Sequence, residues 1–245
     1  MPSPLACSRE RLLQQIDVTQ EGRRFLVRRD SYGLSRYTFR AGCFSEDARG
    51  RWFFCAAVQV PVEMSMGQGA VGIDLGLKVT ATCSDCQTLE GRTYRQHEKA
   101  LAAAQRARRK HRVRAIHAKI RNRRQDALHK FSTDLVGEYG EIYVGDVSST
   151  KLVKTKMAKS VLDAGWSSLK TMLKHKSAAA GIVYQEVNEA HTTRGGSECG
   201  SLTGPQGLRG LSVREWRCGG CGGLHDRDVN AARNMCHLGA GHRAP

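Results

Sequence analysis

Two segments of the chain carry acids suited to phosphoryl chemistry. Val71 to Thr82 reads VGIDLGLKVTAT, an apolar run holding one carboxylate, Asp74, between Gly72 and Gly76. A carboxylate in such a run is costly to bury unless it is paired or binds a metal, and glycines beside it admit a backbone or a phosphate. Near the end of the chain, HDRDVNAARN (His225 to Asn234) sets Asp228 at a helix start, followed by Asn230 and two alanines. An acid there is favourable as a cap. Its chemical reading is a second metal-binding carboxylate, with small residues that let the helix lie close to a sheet. Acids on separate elements can hold two divalent cations about 3.5–4 Å apart for in-line phosphodiester hydrolysis, and Mg²⁺ suits such oxygen donors.

Between these segments stand Cys199 and the pair Cys218-Gly-Gly-Cys221. A close pair with a distant partner is the pattern of a zinc ribbon, here with three clear Zn²⁺ ligands. His191, His225 and Cys236 are candidates for a fourth, and spacing does not choose among them. Cys83 and Cys86 form a further CxxC with no second pair and read as ordinary thiols.

The 245 residues carry a formal charge of +16, with a sequence pI near 9.8. A polyanion is the natural partner, and nucleic acid the commonest one. The surplus is clustered. Arg92 to Lys130 contains RARRKHRVR (106–114) and RNRR (121–124), with Glu98 and Asp126 its acids. Unbalanced charge of this kind points to phosphate-backbone contact, which carries no sequence specificity. The hydrophobic share of 40% is enough for a packed core. No N-terminal signal and no apolar run near the roughly 18–20 residues of a membrane span is visible. The expectation is a cytoplasmic protein without membrane contact, in which disulfides are disfavoured.

The elements that must position these residues follow from periodicity. Arg23 to Arg28 and Arg51 to Pro61 read as strands, with EDARG before the latter as a hairpin turn. Val71 to Thr82 reads as one buried strand, with Thr88 to Thr93 as a partner. Tyr94 to Tyr139 reads as helical throughout, and Lys159 to Ala180 as a second helix with Val161, Leu162, Trp166, Leu169, Met172 and Leu173 at helical spacing. Glu141 to Val147 and Gly181 to Val187 read as further strands. Gly195 to Gly223 is a glycine-rich insert, and Asp226 to Leu238 opens the last helix. Strands alternating with long helices predict an α/β fold.

Taken together, GIDLG, the basic helical segment, MAKSVLDAGW (157–166), EVNEAHTT (186–193), CGGCG and HDRDVNAARN resemble the TnpB-type proteins of the OrfB transposase group, RNA-guided nucleases related to type V CRISPR effectors. The resemblance covers about Ala70 to Leu238. It implies an RNase H-like (RuvC) core with a zinc-ribbon-like insert, preceded by a small β-rich N-terminal segment. The implied limits are 1–66 for that segment, which corresponds to the last section of the family's guide- and target-binding region. They are 70–194 for the first part of the core, 195–224 for the insert, and 225–245 for the last core motif and tail. It further implies a guide RNA, a DNA target, and Mg²⁺-dependent cleavage in transposition and DNA recombination.

Two positions depart from the family pattern. Gly145 stands where the middle catalytic Glu closes the strand EIYVGDV, and members that share this wording carry a substitute near EVNEAHTT. Glu189 takes that role, with Glu186 and Asp146 as alternatives. Asp74, Glu189 and Asp228 would then bind the cations, and Asp226 would be a structural acid at the helix start. Gly196 stands where the first ribbon Cys is expected, which bears directly on zinc. Both departures also fit an alternative, a repurposed RNA- or DNA-binding protein without catalysis. A second alternative is a DNA transposase that works without a guide.

Overall fold

The computed structural model describes residues 37–47, 49–59, 64–147, 158–210 and 212–241. The chain divides into two compact units, residues 1–61 and 62–245. The first contains an antiparallel hairpin of β1 (Thr38–Glu46) and β2 (Trp52–Gln59), in register Cys43 to Cys55 and Phe44 to Phe54. The expected turn forms around Asp47, whose Oδ1 accepts from the backbone N–H groups of Arg49 (2.9 Å) and Arg51 (3.0 Å). The strand expected at Arg23 to Arg28 lies outside the described residues.

The second unit is built on a five-stranded sheet. Its strands are β3 (Ala70–Leu75), β4 (Val79–Cys83), β5 (Thr88–Glu90), β6 (Glu141–Gly145) and β7 (Val183–Val187), in the order β5-β4-β3-β6-β7. Strands β3, β4 and β5 pair antiparallel, while β3, β6 and β7 run parallel. The run Val71 to Thr82 is therefore a hairpin and not one strand. Gly76 makes the reversal possible, since a Cβ there would lie 2.7 Å from the Val79 carbonyl oxygen.

A 3₁₀ turn (Thr93–His97), α1 (Glu98–Arg106) and α2 (Lys110–Glu138) connect β5 to β6. The expected single helix is broken at residues 107–109, where Arg108 takes a left-handed backbone (φ 51°). No Gly or Pro marks that break, so residue preference gave no warning of it. The second expected helix is also two: α3 (Ala158–Ala164) and α4 (Trp166–Ala180), separated by Gly165 at φ 68°. Here the Gly is the signal, because its left-handed conformation is costly for other residues. From the start of α4, Trp166 Nε1 donates to the Gly76 carbonyl (3.2 Å), which anchors the β3–β4 turn.

The core lies between this sheet and the helices. Val71, Ile73, Ile142, Leu128, Leu135, Leu169 and Leu173 are almost fully buried in one cluster. Alternation fails along β3 because a central strand is covered on both faces. The opposite face takes α6 (Arg227–Gly239), whose Ala231 and Ala232 are fully buried. Between β7 and α6 come a loop, the single turn α5 (Gly207–Gly210), and a small sheet of β8 (Glu215–Arg217) and β9 (Leu224–Asp226).

Candidate functional site

The parallel strands bring their carboxyl ends to one edge, where open α/β sheets present ligands. Ile73 pairs with Val144 and Gly145 with Val187, so Asp74 and Gly145 lie one step beyond in adjacent strands. Glu189 follows β7 by two residues. Asp228 sits in the first turn of α6, which is held against β3 at a glycine. A Cβ on Gly72 would fall 1.9 Å from the Ala232 carbonyl oxygen and 2.6 Å from the Cys236 nitrogen. That close approach gives the two alanines and Gly72 one purpose: it carries Asp228 towards Asp74.

Electrostatics records the convergence. Burial first, and then the charges of Asp228 and Glu189, push the Asp74 carboxyl up to about 7, against a smaller opposing pull from Arg227. Glu189 is also raised, by burial and by Asp146, with Lys170 opposing. A buried acid held towards its protonated form by neighbouring carboxylates marks a site short of positive charge. Among the described residues the clusters of metal-type ligands within 4.8 Å of one another are both in the cysteine insert, so the three acids stand further apart than that.

Asp228 has partners instead. Its Oδ2 lies 2.6 Å from Arg214 Nη1 and its Oδ1 lies 3.0 Å from Arg227 Nη2. The cap of α6 is Asp226, whose Oδ1 accepts from the N–H groups of Asp228 (3.0 Å) and Val229 (2.9 Å). Asp228 is thereby free of capping duty. Of the alternatives to Glu189, Glu186 is paired with Lys170 (2.8 Å) and accepts from the Tyr184 hydroxyl (3.2 Å). Asp146 accepts from the Glu189 N–H (3.3 Å) and so braces that residue. Glu189 Oε2 would lie 3.3 Å from a Cβ on Gly145. The carboxylate from β7 thus reaches the space that a side chain at the end of β6 would enter.

In the insert, Cys199, Cys218 and Cys221 come within 4.8 Å of one another, as does a group of Glu198, Cys221 and His225. Cys199 Sγ and Cys218 Sγ are 3.5 Å apart. The Thr203 hydroxyl and the N–H groups of Cys221 and Gly220 hold the Cys218 thiol down to about 6. Three converging soft donors, one of them biased towards thiolate, fit a zinc ion. Cys83 is buried in the core and Cys86 is exposed in a turn, so that CxxC brings no such pair together. His191 is exposed and Cys236 faces the sheet, away from the insert.

Two asparagines fasten the insert to α6. Asn230 Oδ1 accepts from the Ser197 N–H (2.8 Å), and its Nδ2 donates to the Gly195 carbonyl (2.7 Å) and the Thr192 carbonyl (3.2 Å). Asn234 donates to the same two carbonyls, both at 2.7 Å. The signal for this joint in the sequence is the amide pair at i and i+4 in DRDVNAARN, Asn230 and Asn234. Arg214 carried no signal, because its meeting with Asp228 depends on the fold of the insert. The basic side chains of Arg106, Arg109, Arg112, Arg114, Arg121 and Arg123 are exposed. Among the described residues no helix is long and apolar enough to cross a membrane.

A mixed α/β unit with acids gathered at the sheet edge, beside a cysteine insert, defines a class, and comparison with known proteins supplies the family. Residues 53–156 match the OrfB family, described as "Probable transposase", and residues 166–235 match the "Cas12f1-like, TNB domain" family. A relative from Streptomyces pristinaespiralis named "Putative RNA-guided DNA endonuclease" is 36% identical over 214 residues, covering 80% of this chain and 52% of its own. InsQ of Escherichia coli (strain K12), of the same description, is 27% identical over 226 residues, covering 79% of this chain and 54% of its own. One chain in the cryo-EM structure of the Cas12f1–sgRNA–target DNA complex superposes with a TM-score of 0.54 at 16% identity, over 78% of this chain and 54% of that one. The chain is of the TnpB type, within the OrfB transposase group. It spans about half the length of these curated relatives.

Proposed function

We propose that this chain supplies the nuclease core of a transposon-associated, RNA-guided DNA endonuclease that acts in the cytoplasm, with an RNase H-like (RuvC) fold and a zinc-ribbon insert at 195–224. The sheet order, with two antiparallel strands on one side of β3 and two parallel strands on the other, supports that fold. One observation carries the function: Asp74, Glu189 and Asp228, three acids from three separate elements, converge at the carboxyl end of the sheet, where burial and then the charges of Asp228 and Glu189 raise Asp74.

Such a cluster fits divalent cations, since a cation supplies the charge that would let Asp74 ionise beside its neighbours. When bound, the cations polarise the phosphate and activate water. The chain's own residues do the rest. Asp74, at the end of a rigid central strand, fixes the centre of the site. Glu189 takes the place left by Gly145, braced by Asp146. Asp228 closes the third side, and Arg214 and Arg227 stand beside it to meet the phosphate once they leave its carboxylate. The exposed arginines of α1 and α2 hold the nucleic-acid backbone, and a guide RNA supplies sequence reading by base pairing.

A second reading has its own observation: both oxygens of Asp228 are ion-paired, which suits a binding protein that no longer cuts. The test is DNA cleavage in Mg²⁺ by the purified chain with its co-purifying RNA, beside Asp74→Ala and Asp228→Ala. Cutting by the wild type alone supports the nuclease. Binding of RNA and DNA with no cutting by any of the three supports the second reading, and cutting by either variant rejects the site.

A further inference from the structure

We infer that His225 is the fourth ligand of a Cys₃His zinc site in the insert, taking the place of the thiol missing at Gly196. The insert brings three thiols together but shows no fourth. Gly196 leaves open a space in which a Cβ would lie 3.3 Å from Cys218 Sγ, 3.4 Å from Cys199 Sγ and 3.6 Å from His225 Nε2. From the other side, a Cβ on Gly223 would lie 2.7 Å from Glu198 Oε2, 3.4 Å from Cys221 Sγ and 3.5 Å from the same His225 Nε2. His225 Nε2 therefore borders both side-chain-free positions and shares with Cys221 a group within 4.8 Å, and a small approach towards Cys199 and Cys218 would complete the set.

That nitrogen is also unexplained by the protein around it. His225 is 3% exposed, yet its Nε2 has no hydrogen-bond partner. A buried imidazole nitrogen left without a partner is costly, and a metal ion removes the cost. The ring is already oriented. His225 pairs with Trp216 across β8 and β9 and stacks on its indole, with centroids 4.9 Å apart and planes at 30°. The 3.5 Å between Cys199 and Cys218 sulfurs is close to the ~3.8 Å edge of a tetrahedron with Zn–S bonds of about 2.3 Å.

The rivals fit less well. Glu198 is near Cys221 and His225 but exposed, and three thiolates with a carboxylate would leave the site with a net charge of −2. A neutral imidazole leaves −1 and is a common zinc donor. His191 and Cys236 belong to neither ligand group. The position of His225 gives the metal a structural consequence. It directly precedes Asp226, the cap of α6, so the ion would tie the insert to the helix start that carries Asp228.

The inference stands apart from the nuclease reading, because a zinc-loaded chain that cuts nothing would satisfy it. The test uses the full chain with zinc, and with cobalt(II) as a spectroscopic substitute. X-ray absorption on the wild-type zinc form should show three sulfurs and one imidazole nitrogen. In chelator competition, His225→Ala should weaken zinc beyond the roughly 100-fold cost of losing an outer partner, whereas Glu198→Gln and His191→Ala leave the affinity unchanged. His225→Cys should keep the metal and shift the cobalt spectrum to a four-thiolate pattern. A wild type that holds no zinc, an absorption spectrum without imidazole, or loss of zinc in Glu198→Gln with retention in His225→Ala overturns the assignment. Where His225→Ala does not fold, the wild-type absorption spectrum decides.

Discussion

Arg214 Nη1 lies 2.6 Å from Asp228 Oδ2, so the segment that leads into β8 of the cysteine insert holds the acid at the start of α6. The pair is partly solvent-exposed, at 43% and 20% for the two side chains, and contributes no more than about 1 kcal/mol. A cation entering beside Asp228 must displace this guanidinium. Arg214→Gln should therefore tighten divalent-cation binding by up to roughly fivefold, with little change in stability. Titration of the chain with Mn²⁺ by calorimetry checks this. Weaker binding in the variant would mean that Arg214 organises the carboxylates and does not compete for them.

Asp74 predicts a pH dependence. Its carboxyl is raised from 3.8 to about 7 in the metal-free fold. Between those values the unfolded chain binds fewer protons than the folded one, so stability falls as pH rises through that window. Asp74→Asn should abolish the fall and raise Tm at pH 8 in EDTA by about 2–4 °C for each kcal/mol recovered. Melting curves from pH 4 to 8 read the slope. The same sign makes cation affinity rise with pH up to about 7, because the cation requires the carboxylate.

The close packing of α6 on β3 is tested at Gly72. A Cβ there meets the backbone of Ala232 at 1.9 Å, which no side-chain adjustment relieves. Gly72→Ala should cost on the order of 3 kcal/mol, and should reduce cleavage even where the chain is folded, by moving Asp228. Gly137, exposed in α2 with nothing within 4 Å of its would-be Cβ, is the control. Gly137→Ala should instead stabilise by about 0.5–1 kcal/mol. Denaturant unfolding of both variants makes the comparison.

The pattern of what was legible in the sequence has physical causes. Asp74 and Asp228 stood out because an acid in an apolar strand and an acid at a helix start are locally anomalous. The strand order could not be read from them, and the hairpin at Gly76 was hidden inside a continuous apolar run. Breaks at Gly and turns at Asp announce themselves, as Gly165 and Asp47 do, whereas Arg108 adopts its left-handed conformation without any compositional cue. Contacts that need the tertiary fold, such as Arg214 with Asp228 or His225 with Cys221, leave no trace in spacing.

Asn230 and Asn234 give a prediction about the insert. Asn230→Ala removes three hydrogen bonds and strands the Ser197 N–H, costing about 2–3 kcal/mol. Asn234→Ala should cost less, because Asn230 still serves the same two carbonyls. Hydrogen exchange should then rise in residues 192–204 in the first variant while the five-stranded sheet stays protected. Equal loss of protection across both regions would show that the insert and the core unfold as one unit.

If Glu189 fills the space that the end of β6 leaves open, a glutamate grown from Gly145 should substitute for it. The would-be Cβ of Gly145 lies 3.3 Å from Glu189 Oε2 and 3.0 Å from Met235 Cε, and the flexible thioether can give way. Glu189→Ala should lower cleavage by more than roughly 100-fold, beyond the loss expected for an outer partner of the cation. Gly145→Glu alone should weaken activity at neutral pH, because a fourth carboxylate raises the others further. The double variant Gly145→Glu/Glu189→Ala should recover at least about tenfold over Glu189→Ala, a coupling of ~1.4 kcal/mol. Cleavage rates at fixed Mg²⁺ for the four proteins complete the cycle. Additive losses, with no recovery in the double variant, would mean that the two positions do not serve the same cation, and the acid that completes the site would have to be sought elsewhere, with Asp146 the next to test.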